Sequence, residues 1–149
     1  MGDVTKNFSR WEWACRCGCG FDDLHPVVVM GIQIVRDVSM LPVFLNSGCR
    51  CHQHNEDEGG EDFSYHLEQA NGYGWAVDWT IPGARLFEML GWAAVVEAFF
   101  KGGIGIYVDG DEVWIHSDTR RGGPARWGFL DGEETDFDAV LKAAEKRGI

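Results

Sequence analysis

Residues 103–118 read GIGIYVDGDEVWIHSD, and this stretch decides the fold. Runs rich in β-branched and aromatic residues extend from Ile104 to Val108 and from Glu112 to Asp118, and such runs favour strands. The three residues DGD between them are typical of a hairpin turn. The stretch therefore predicts two antiparallel strands joined by a tight connection.

The second of these strands carries polar side chains that can do chemistry. Side chains alternate along a strand, so His116 and Asp118 share one face, about 6.6 Å apart at ~3.3 Å per residue. The opposite face is mostly apolar and predicts contact with a core; it holds Val113, Ile115 and Ser117. An imidazole beside a carboxylate is consistent with a catalytic or metal site, and also with a chance pair of surface groups.

Outward from this hairpin, the sequence predicts helices before, between and after short strands. In the first half of the chain, the patterns predict an irregular N-terminal arm at 1–21, a helix opened by Pro26 and capped by Asp22 or Asp23 that runs to about Met40, and a strand from Val43 to Asn46. A polar loop at 52–73, a strand from Trp75 to Ile81 and a buried helix at 84–100 follow. After the hairpin, the patterns predict a Gly-rich loop at 121–133 and a C-terminal helix at 135–147 with Thr135 as its N-cap. This order indicates an α+β fold, a small antiparallel sheet with flanking helices, in a single domain of residues 1–149.

Composition and charge narrow the class of protein. The chain has 149 residues, 45% of them hydrophobic and 13% aromatic, which is typical of one globular domain. Its net charge of −11 disfavours a nucleic-acid partner, because such binding relies on Lys and Arg. No apolar run approaches the ~20 residues that span a bilayer, so no membrane insertion is expected. The N-terminus lacks a basic head followed by an apolar stretch, so we expect synthesis in a cytoplasm without a signal peptide.

Two further residues complete a candidate metal-ligand set with His116. Asp78 ends the apolar stretch GWAVD, and an aspartate buried there is costly unless it is paired or metal-bound. His66 ends the motif SYH in the polar loop. Two histidines and one carboxylate are a set that zinc hydrolases use while leaving a position for water. Taken alone, Asp78 could equally face water at a sheet edge, and His66 could be an ordinary loop residue.

Several short motifs, taken together, resemble one family of peptidases. They are SGCR (47–50), Asn55, GG (59–60), SYH (64–66), GWAVD (74–78), GIGIY (103–107) and WIHSDTR (114–120). In this order, over roughly residues 8–127, they resemble the zinc D-Ala-D-Ala carboxypeptidase family, which includes cell-wall endopeptidases, phage endolysins and hedgehog-type domains. The N-terminal FSRWEWACRCGCG (8–20) is similar to the phage and prophage branch.

The resemblance implies a fold, an activity and roles for single residues. It implies a hedgehog/DD-peptidase-like fold in which His66, Asp78 and His116 bind one catalytic zinc. It also implies that Arg50 holds a substrate carboxylate or carbonyl and that Ser64 hydrogen-bonds substrate beside the metal. The implied reaction is hydrolysis of a peptide bond in bacterial peptidoglycan, by a monomer acting on the wall of a phage-infected host or from a virion. Two alternatives are a metal-binding, non-catalytic wall-binding domain and a virion structural protein.

The sequence departs from the family pattern at two places. Twelve steps separate His66 from Asp78 where the family usually has seven, so we expect an insert that bulges outward beside the cleft, with His52 and His54 as alternative ligands. Many relatives place an acid three residues before the last histidine, and that position here is Val113. Asp118 is then either the catalytic base or a partner that fixes an imidazole, with Glu112 as the alternative base.

The five cysteines form two groups along the chain. Cys15, Cys17 and Cys19 alternate in the N-terminal arm, and Cys49 and Cys51 flank the predicted substrate arginine. Four thiolates from these groups could hold a second, structural zinc at Zn–S distances of about 2.3 Å, although C-x-C spacing differs from the usual C-x₂-C. The alternatives are free thiols, or a disulfide that ties the arm to the turn at 49–51.

Overall fold

The computed structural model describes residues 2–100 and 102–149, and the side chains of all but 98–100 among them. After a 3₁₀ turn at Arg10–Glu12, the elements are α1 (Pro26–Ser39), β1 (Phe44–Ser47), α2 (His52–Asp57), β2 (Ala76–Thr80), α3 (Leu86–Phe100), β3 (Gly103–Asp109), β4 (Glu112–Asp118), β5 (Ala125–Leu130), β6 (Glu133–Thr135) and α4 (Phe137–Arg147). The strands form one six-stranded sheet in the order β1-β2-β4-β3-β5-β6. The predicted α+β fold is confirmed, as is the β3–β4 hairpin.

The sheet is mainly antiparallel, as predicted, with one parallel pair. β5 runs parallel to β3, with Gly103 opposite Ala125, while the other neighbours are antiparallel. The prediction of a Gly-rich loop at 121–133 is wrong, because Ala125–Leu130 form β5 and β6 begins at Glu133. Gly128 looks like a strand breaker in the sequence, yet a Cβ there would lie 2.6 Å from Val140 of α4. Close approach of that helix therefore explains the glycine.

The helices are capped by residues other than those predicted. His25 caps α1, its Nδ1 accepting from the Val27 amide at 3.2 Å. The acids expected there, Asp22 and Asp23, instead pair with Arg10 at 3.5 and 3.1 Å. Asp136 rather than Thr135 caps α4, and Cys51 caps a short α2 inside the stretch predicted as loop.

Alternation along the strands divides the sheet into an apolar face and a polar face. α1, α3 and α4 pack on the apolar face, which includes Trp79, Ile106 and Ile115, each at most 1% exposed. The opposite face of β2 and β4 carries Asp78, His116 and Asp118. This confirms the face assignment for β4, and Ser117 on the apolar side is satisfied by Trp79 Nε1 at 3.0 Å.

The N-terminal arm is irregular, as predicted, but it is packed into the molecule. Phe8 and Trp13 are 1% and 2% exposed, and the Trp13 carbonyl accepts from the Cys49 amide at 2.8 Å. The arm thus lies against the segment that leads into α2. None of the helices in the described part of the chain is long and apolar enough to cross a membrane.

Candidate metal centre

His66, Asp78 and His116 meet at one point on the polar face of the sheet. His66 Nε2 lies 3.2 Å from His116 Nδ1 and 3.3 Å from Asp78 Oδ2, and His116 Nδ1 lies 2.8 Å from Asp78 Oδ1. The three residues are between 3% and 8% exposed. Within the described residues they form a group able to hold a metal ion, and neither His52 nor His54 belongs to it. The alternative ligands are therefore not brought to the centre.

Strand register and a closed loop bring the three side chains together. Asp78 on β2 is directly opposite His116 on β4, so the antiparallel pairing sets their separation. His66 arrives from outside the sheet, and its carbonyl accepts from the Arg50 amide at 2.9 Å.

The long spacing between His66 and Asp78 is absorbed in a loop. The loop is closed where the Trp75 amide donates to the Tyr65 carbonyl at 2.7 Å, so its two ends lie side by side. Its residues Glu68, Ala70 and Asn71 are exposed, as expected of an outward insert. The extra residues therefore leave His66 next to β2 despite the departure from the family spacing.

Each histidine is held by the ring nitrogen that faces away from the centre. His66 Nδ1 lies 2.6 Å from the Gly48 carbonyl, which can only accept, so this nitrogen carries the proton. His116 Nε2 lies 3.1 Å from Asp118 Oδ2. With both outer nitrogens protonated, the inner nitrogens, His66 Nε2 and His116 Nδ1, face Asp78 and are the ones that can donate a lone pair to a metal ion. Outer partners of this kind fix the tautomer and orientation of metal-binding imidazoles.

The charges at the centre favour a cation. Burial alone would raise the pKa of Asp78, but the two histidines hold that pKa below its ordinary range. Burial would lower the pKa of His116, yet hydrogen bonds to Asp118 and Asp78 raise it from 6.5 to about 9. Without a metal, the imidazole is thus protonated at neutral pH between two carboxylates. A dication in the same place satisfies the same carboxylate and both lone pairs, so the donor set fits zinc.

Asp118 lies on the far side of His116 from the other two ligands. It is 1% exposed and accepts from the Gly103 amide and from the Arg120 amide, both at 2.9 Å, and from the Arg120 guanidinium. Burial would raise the pKa of Asp118, but His116 and Arg120 hold it well below the usual range. Of its two predicted roles, this geometry favours the partner that fixes an imidazole.

The predicted substrate residues lie at the rim of the centre. The guanidinium of Arg50 donates to Asp78 Oδ2 at 3.1 Å and to Ser47 Oγ at 2.8 Å. Ser64 Oγ accepts from the His66 amide at 3.3 Å, in the turn that presents the histidine. Glu112 is exposed at the hairpin end of β4, opposite Asp109, so the structure does not bring this alternative base to the centre.

Sequence reasoning missed an aromatic wall beside His116. The Trp127 ring lies 5.1 Å from the His116 ring, and Arg120 lies between the rings of Trp127 and Tyr65 at 4.8 and 4.9 Å. A Cβ at Gly105 would lie 2.5 Å from the Trp127 indole, so the glycine of GIGIY makes room for this wall. Trp127 was hidden because its strand was predicted as loop. The arginine in HSDTR, two residues after Asp118, was the available signal for Arg120.

Four of the five cysteines form a second cluster. The sulfurs of Cys15, Cys17, Cys19 and Cys51 all lie within 4.8 Å of one another. Cys49 is 2% exposed and lies outside this group, so its inclusion among the possible ligands is wrong. All five cysteines are in the described part of the chain, and there they are free thiols rather than the disulfide considered above.

Two nitrogen donors and one carboxylate leave zinc a coordination position for water, the arrangement by which zinc enzymes hydrolyse peptide bonds. The three residues therefore have the donor set of a zinc hydrolase. The Peptidase M15 family model matches residues 6–118, which include all three ligand positions and more than half of the chain, and the chain belongs to this family. Comparisons with curated proteins and with solved structures gave no match.

Family membership confirms the resemblance to the zinc D-Ala-D-Ala carboxypeptidases. The chain is therefore a member of a metallopeptidase family, and the peptidases of this family use zinc. The more specific branch of phage endolysins stays a prediction.

Proposed function

We propose that this protein hydrolyses a peptide bond in bacterial peptidoglycan, with one zinc ion bound by His66, Asp78 and His116. The observation that carries the proposal is that the outer nitrogen of each imidazole is hydrogen-bonded. His66 Nδ1 contacts the Gly48 carbonyl, and His116 Nε2 contacts Asp118. This leaves two inner ring nitrogens and a carboxylate directed at one point, on a chain of the M15 family. Zinc held there supplies Lewis-acid chemistry, because it polarises a carbonyl and acidifies water.

Arg50 is the proposed substrate-binding cation. Its guanidinium lies at the edge of the centre, 3.1 Å from a carboxylate oxygen of Asp78. The planar fork of arginine binds a carboxylate or a carbonyl through two parallel donors. Such a group at this position would hold either the C-terminal carboxylate of a stem peptide or the carbonyl oxygen of the bond that is cut.

Ser64 is the proposed second polar contact to substrate. Its oxygen accepts the His66 amide hydrogen, which leaves the hydroxyl hydrogen free to donate. Because the same turn presents His66, a donor on Ser64 keeps a fixed position relative to the metal ligand. This suits a hydrogen bond to a peptide carbonyl next to the reacting bond.

Asp118 is proposed as the positioning residue for His116. It accepts the Nε2 hydrogen and keeps Nδ1 turned to the centre, while Arg120 keeps the carboxylate ionised. A Cβ at Gly103 would lie 2.6 Å from Asp118 Oδ2, so the glycine leaves space for this pair. A carboxylate enclosed in this way is poorly placed to take a proton from water on the other side of the ring.

The test is digestion of purified peptidoglycan by the zinc-loaded protein, followed by mass spectrometry of the soluble products. The expected result is new amino termini or released D-Ala, and the masses distinguish a carboxypeptidase from an L-Ala–D-Glu or cross-link endopeptidase. His116→Ala is the matched inactive control. A zinc-loaded protein that releases nothing from walls of several cross-link types contradicts the proposal.

A second candidate, a zinc-bearing wall-binding or virion structural domain without turnover, is favoured by one observation. Val113 occupies the position where many relatives carry an acid. The acid on β4 that lies nearest to His116 is Asp118, and its carboxylate is hydrogen-bonded to the Arg120 guanidinium. In that case the protein binds zinc and sediments with cell walls, yet releases no new amines. For the catalytic candidate, we further propose that the protein acts as a monomer, has no nucleic-acid partner and acts on the wall of a phage-infected host.

A further inference from the structure

We propose that Cys15, Cys17, Cys19 and Cys51 bind one zinc ion as a four-thiolate structural site, separate from the histidine centre. The site would clamp the N-terminal arm onto the segment that carries Arg50. This inference does not depend on the proposed peptidase reaction, because it concerns different residues and a different role for the metal.

The sulfur positions fit a single tetrahedral ion. Zn–S bonds of about 2.3 Å place the four sulfurs of a tetrahedron about 3.8 Å apart. Cys15 Sγ lies 3.3 Å from Cys17 Sγ, and Cys17 Sγ lies 3.5 Å from Cys51 Sγ, with all four sulfurs within 4.8 Å of one another. Small adjustments therefore reach the tetrahedral edge. A two-iron cluster divides its thiolates between two metals and needs a wider spacing.

The backbone between Cys15 and Phe21 forms a loop that brings the side chains of three alternating cysteines together. The Cys15 amide donates to the Phe21 carbonyl at 2.8 Å and closes the loop between them. Inside the loop, Gly18 and Gly20 adopt φ of +80° and +89°, which other residues rarely adopt. These two turns remove the objection raised by C-x-C spacing, because the segment is not an extended strand.

Amide hydrogens reach two of the sulfurs. The Cys51 amide donates to Cys15 Sγ at 3.4 Å, and the His54 amide donates to Cys51 Sγ at 3.5 Å. Donors of this kind stabilise the ionised thiolate that a metal requires. Cys17 and Cys19 are exposed, so packing does not account for their convergence. Soft thiolate donors select zinc over magnesium or calcium.

The position of the cluster gives the ion a structural role. Cys51 directly follows Arg50 and caps α2, while the other three ligands belong to the arm. Next to them, the arm already holds the Cys49 amide through the Trp13 carbonyl at 2.8 Å. An ion bound by both segments would therefore fix the backbone from which Arg50 extends toward Asp78.

Metal content of matched variants tests the site. Under reducing conditions with zinc, we expect two zinc ions per wild-type chain. We expect one in the double variant His66→Ala/His116→Ala, one in Cys17→Ser/Cys19→Ser, and two in the control Cys49→Ala, which removes a thiol outside the cluster. A double histidine variant without stoichiometric zinc overturns the proposal.

Cobalt gives a readout that does not require the cysteine variant to fold. Cobalt(II) added to His66→Ala/His116→Ala should produce the thiolate-to-metal charge-transfer absorption and the intense visible bands of a tetrahedral site. A spectrum without thiolate ligation contradicts the assignment, as would alkylation and mass analysis that reveal a disulfide among these four cysteines in protein purified anaerobically under reductant.

Stability supplies an independent measurement. Because both exposed thiols contribute little packing, Cys17→Ser/Cys19→Ser should leave the melting temperature of the metal-free protein unchanged. In zinc, the same variant should melt roughly 5–15 °C below the wild type and lose protease protection of the arm. Equal melting temperatures in zinc would show that no ion clamps the arm.

Discussion

The two ligand clusters of this protein are built in opposite ways. His66, Asp78 and His116 are buried, two of them lie on paired strands, and both imidazoles are oriented by outer partners. The four clustered cysteines lie in an irregular arm and at a helix cap, and two of them are exposed. The first geometry is set by the fold before any ion binds. The second has few other contacts to hold it, so we expect it to depend on its ion.

Removal of a histidine ligand should separate the two clusters most clearly. His116→Ala takes away one of three ligands, so polarisation of the carbonyl and acidification of water are lost together. These effects are worth several kcal/mol, and we expect turnover to fall at least about 10³-fold. Elemental analysis should still find one zinc, held by the cysteines. Full zinc content at both sites would remove His116 from the ligand set.

Arg50→Lys tests the residue that lies between the two clusters, because Arg50 contacts Asp78 and directly precedes Cys51. Lysine keeps the positive charge beside Asp78 but loses the planar fork, and one charge-assisted hydrogen bond is worth about 1.5–3 kcal/mol. We expect kcat/KM to fall about 10–100-fold while zinc content and melting temperature hold. Steady-state kinetics on a defined stem peptide measure this. An unchanged kcat/KM would show that Arg50 does not touch substrate.

Asp118→Asn tests whether the histidine centre is oriented from outside. Loss of a positioning partner should weaken zinc binding about 10–100-fold, and excess zinc should then restore activity. Loss of a catalytic base would instead lower kcat by about 10²–10⁴ at full zinc occupancy. Our account predicts the first result. Zinc dissociation and kcat measured on one preparation decide between the two roles.

The pH dependence of zinc binding should report the proton on His116. Its pKa in the metal-free protein is about 9, so zinc must displace a proton at neutral pH. In the Cys17→Ser/Cys19→Ser background, we expect zinc affinity to rise about tenfold per pH unit from pH 7 up to about 9. The raised pKa also stabilises the metal-free fold fully below pH 6.5, and this contribution is lost as pH rises through about 9.

Local periodicity predicted the part of the site that lies on one strand. The alternation of β4 placed His116 and Asp118 together because side-chain direction along a strand follows from the backbone alone. The contact between Asp78 and His116 depends on the register of two strands far apart in sequence. Only the family pattern linked these residues, since periodicity carries no information about register between distant strands.

The features that sequence reasoning missed depend on tertiary contacts. The Gly48 carbonyl that orients His66 is a backbone group and has no sequence signature. β5 contains Arg126 and Gly128, which weaken its strand pattern, and it forms by pairing alongside β3. Cys49 and Cys51 are two residues apart, yet Cys49 is buried against Gly74, whereas Cys51 joins the cluster as the N-cap of the helix that begins at His52.

Anomalous diffraction at the zinc edge, from crystals grown with zinc under reducing conditions, tests the central claim most directly. The account predicts one peak bound by His66 Nε2, an oxygen of Asp78 and His116 Nδ1, with Asp118 still on His116 Nε2. A peak bound through His116 Nε2, or a fully zinc-loaded crystal without a peak among these three residues, would contradict it.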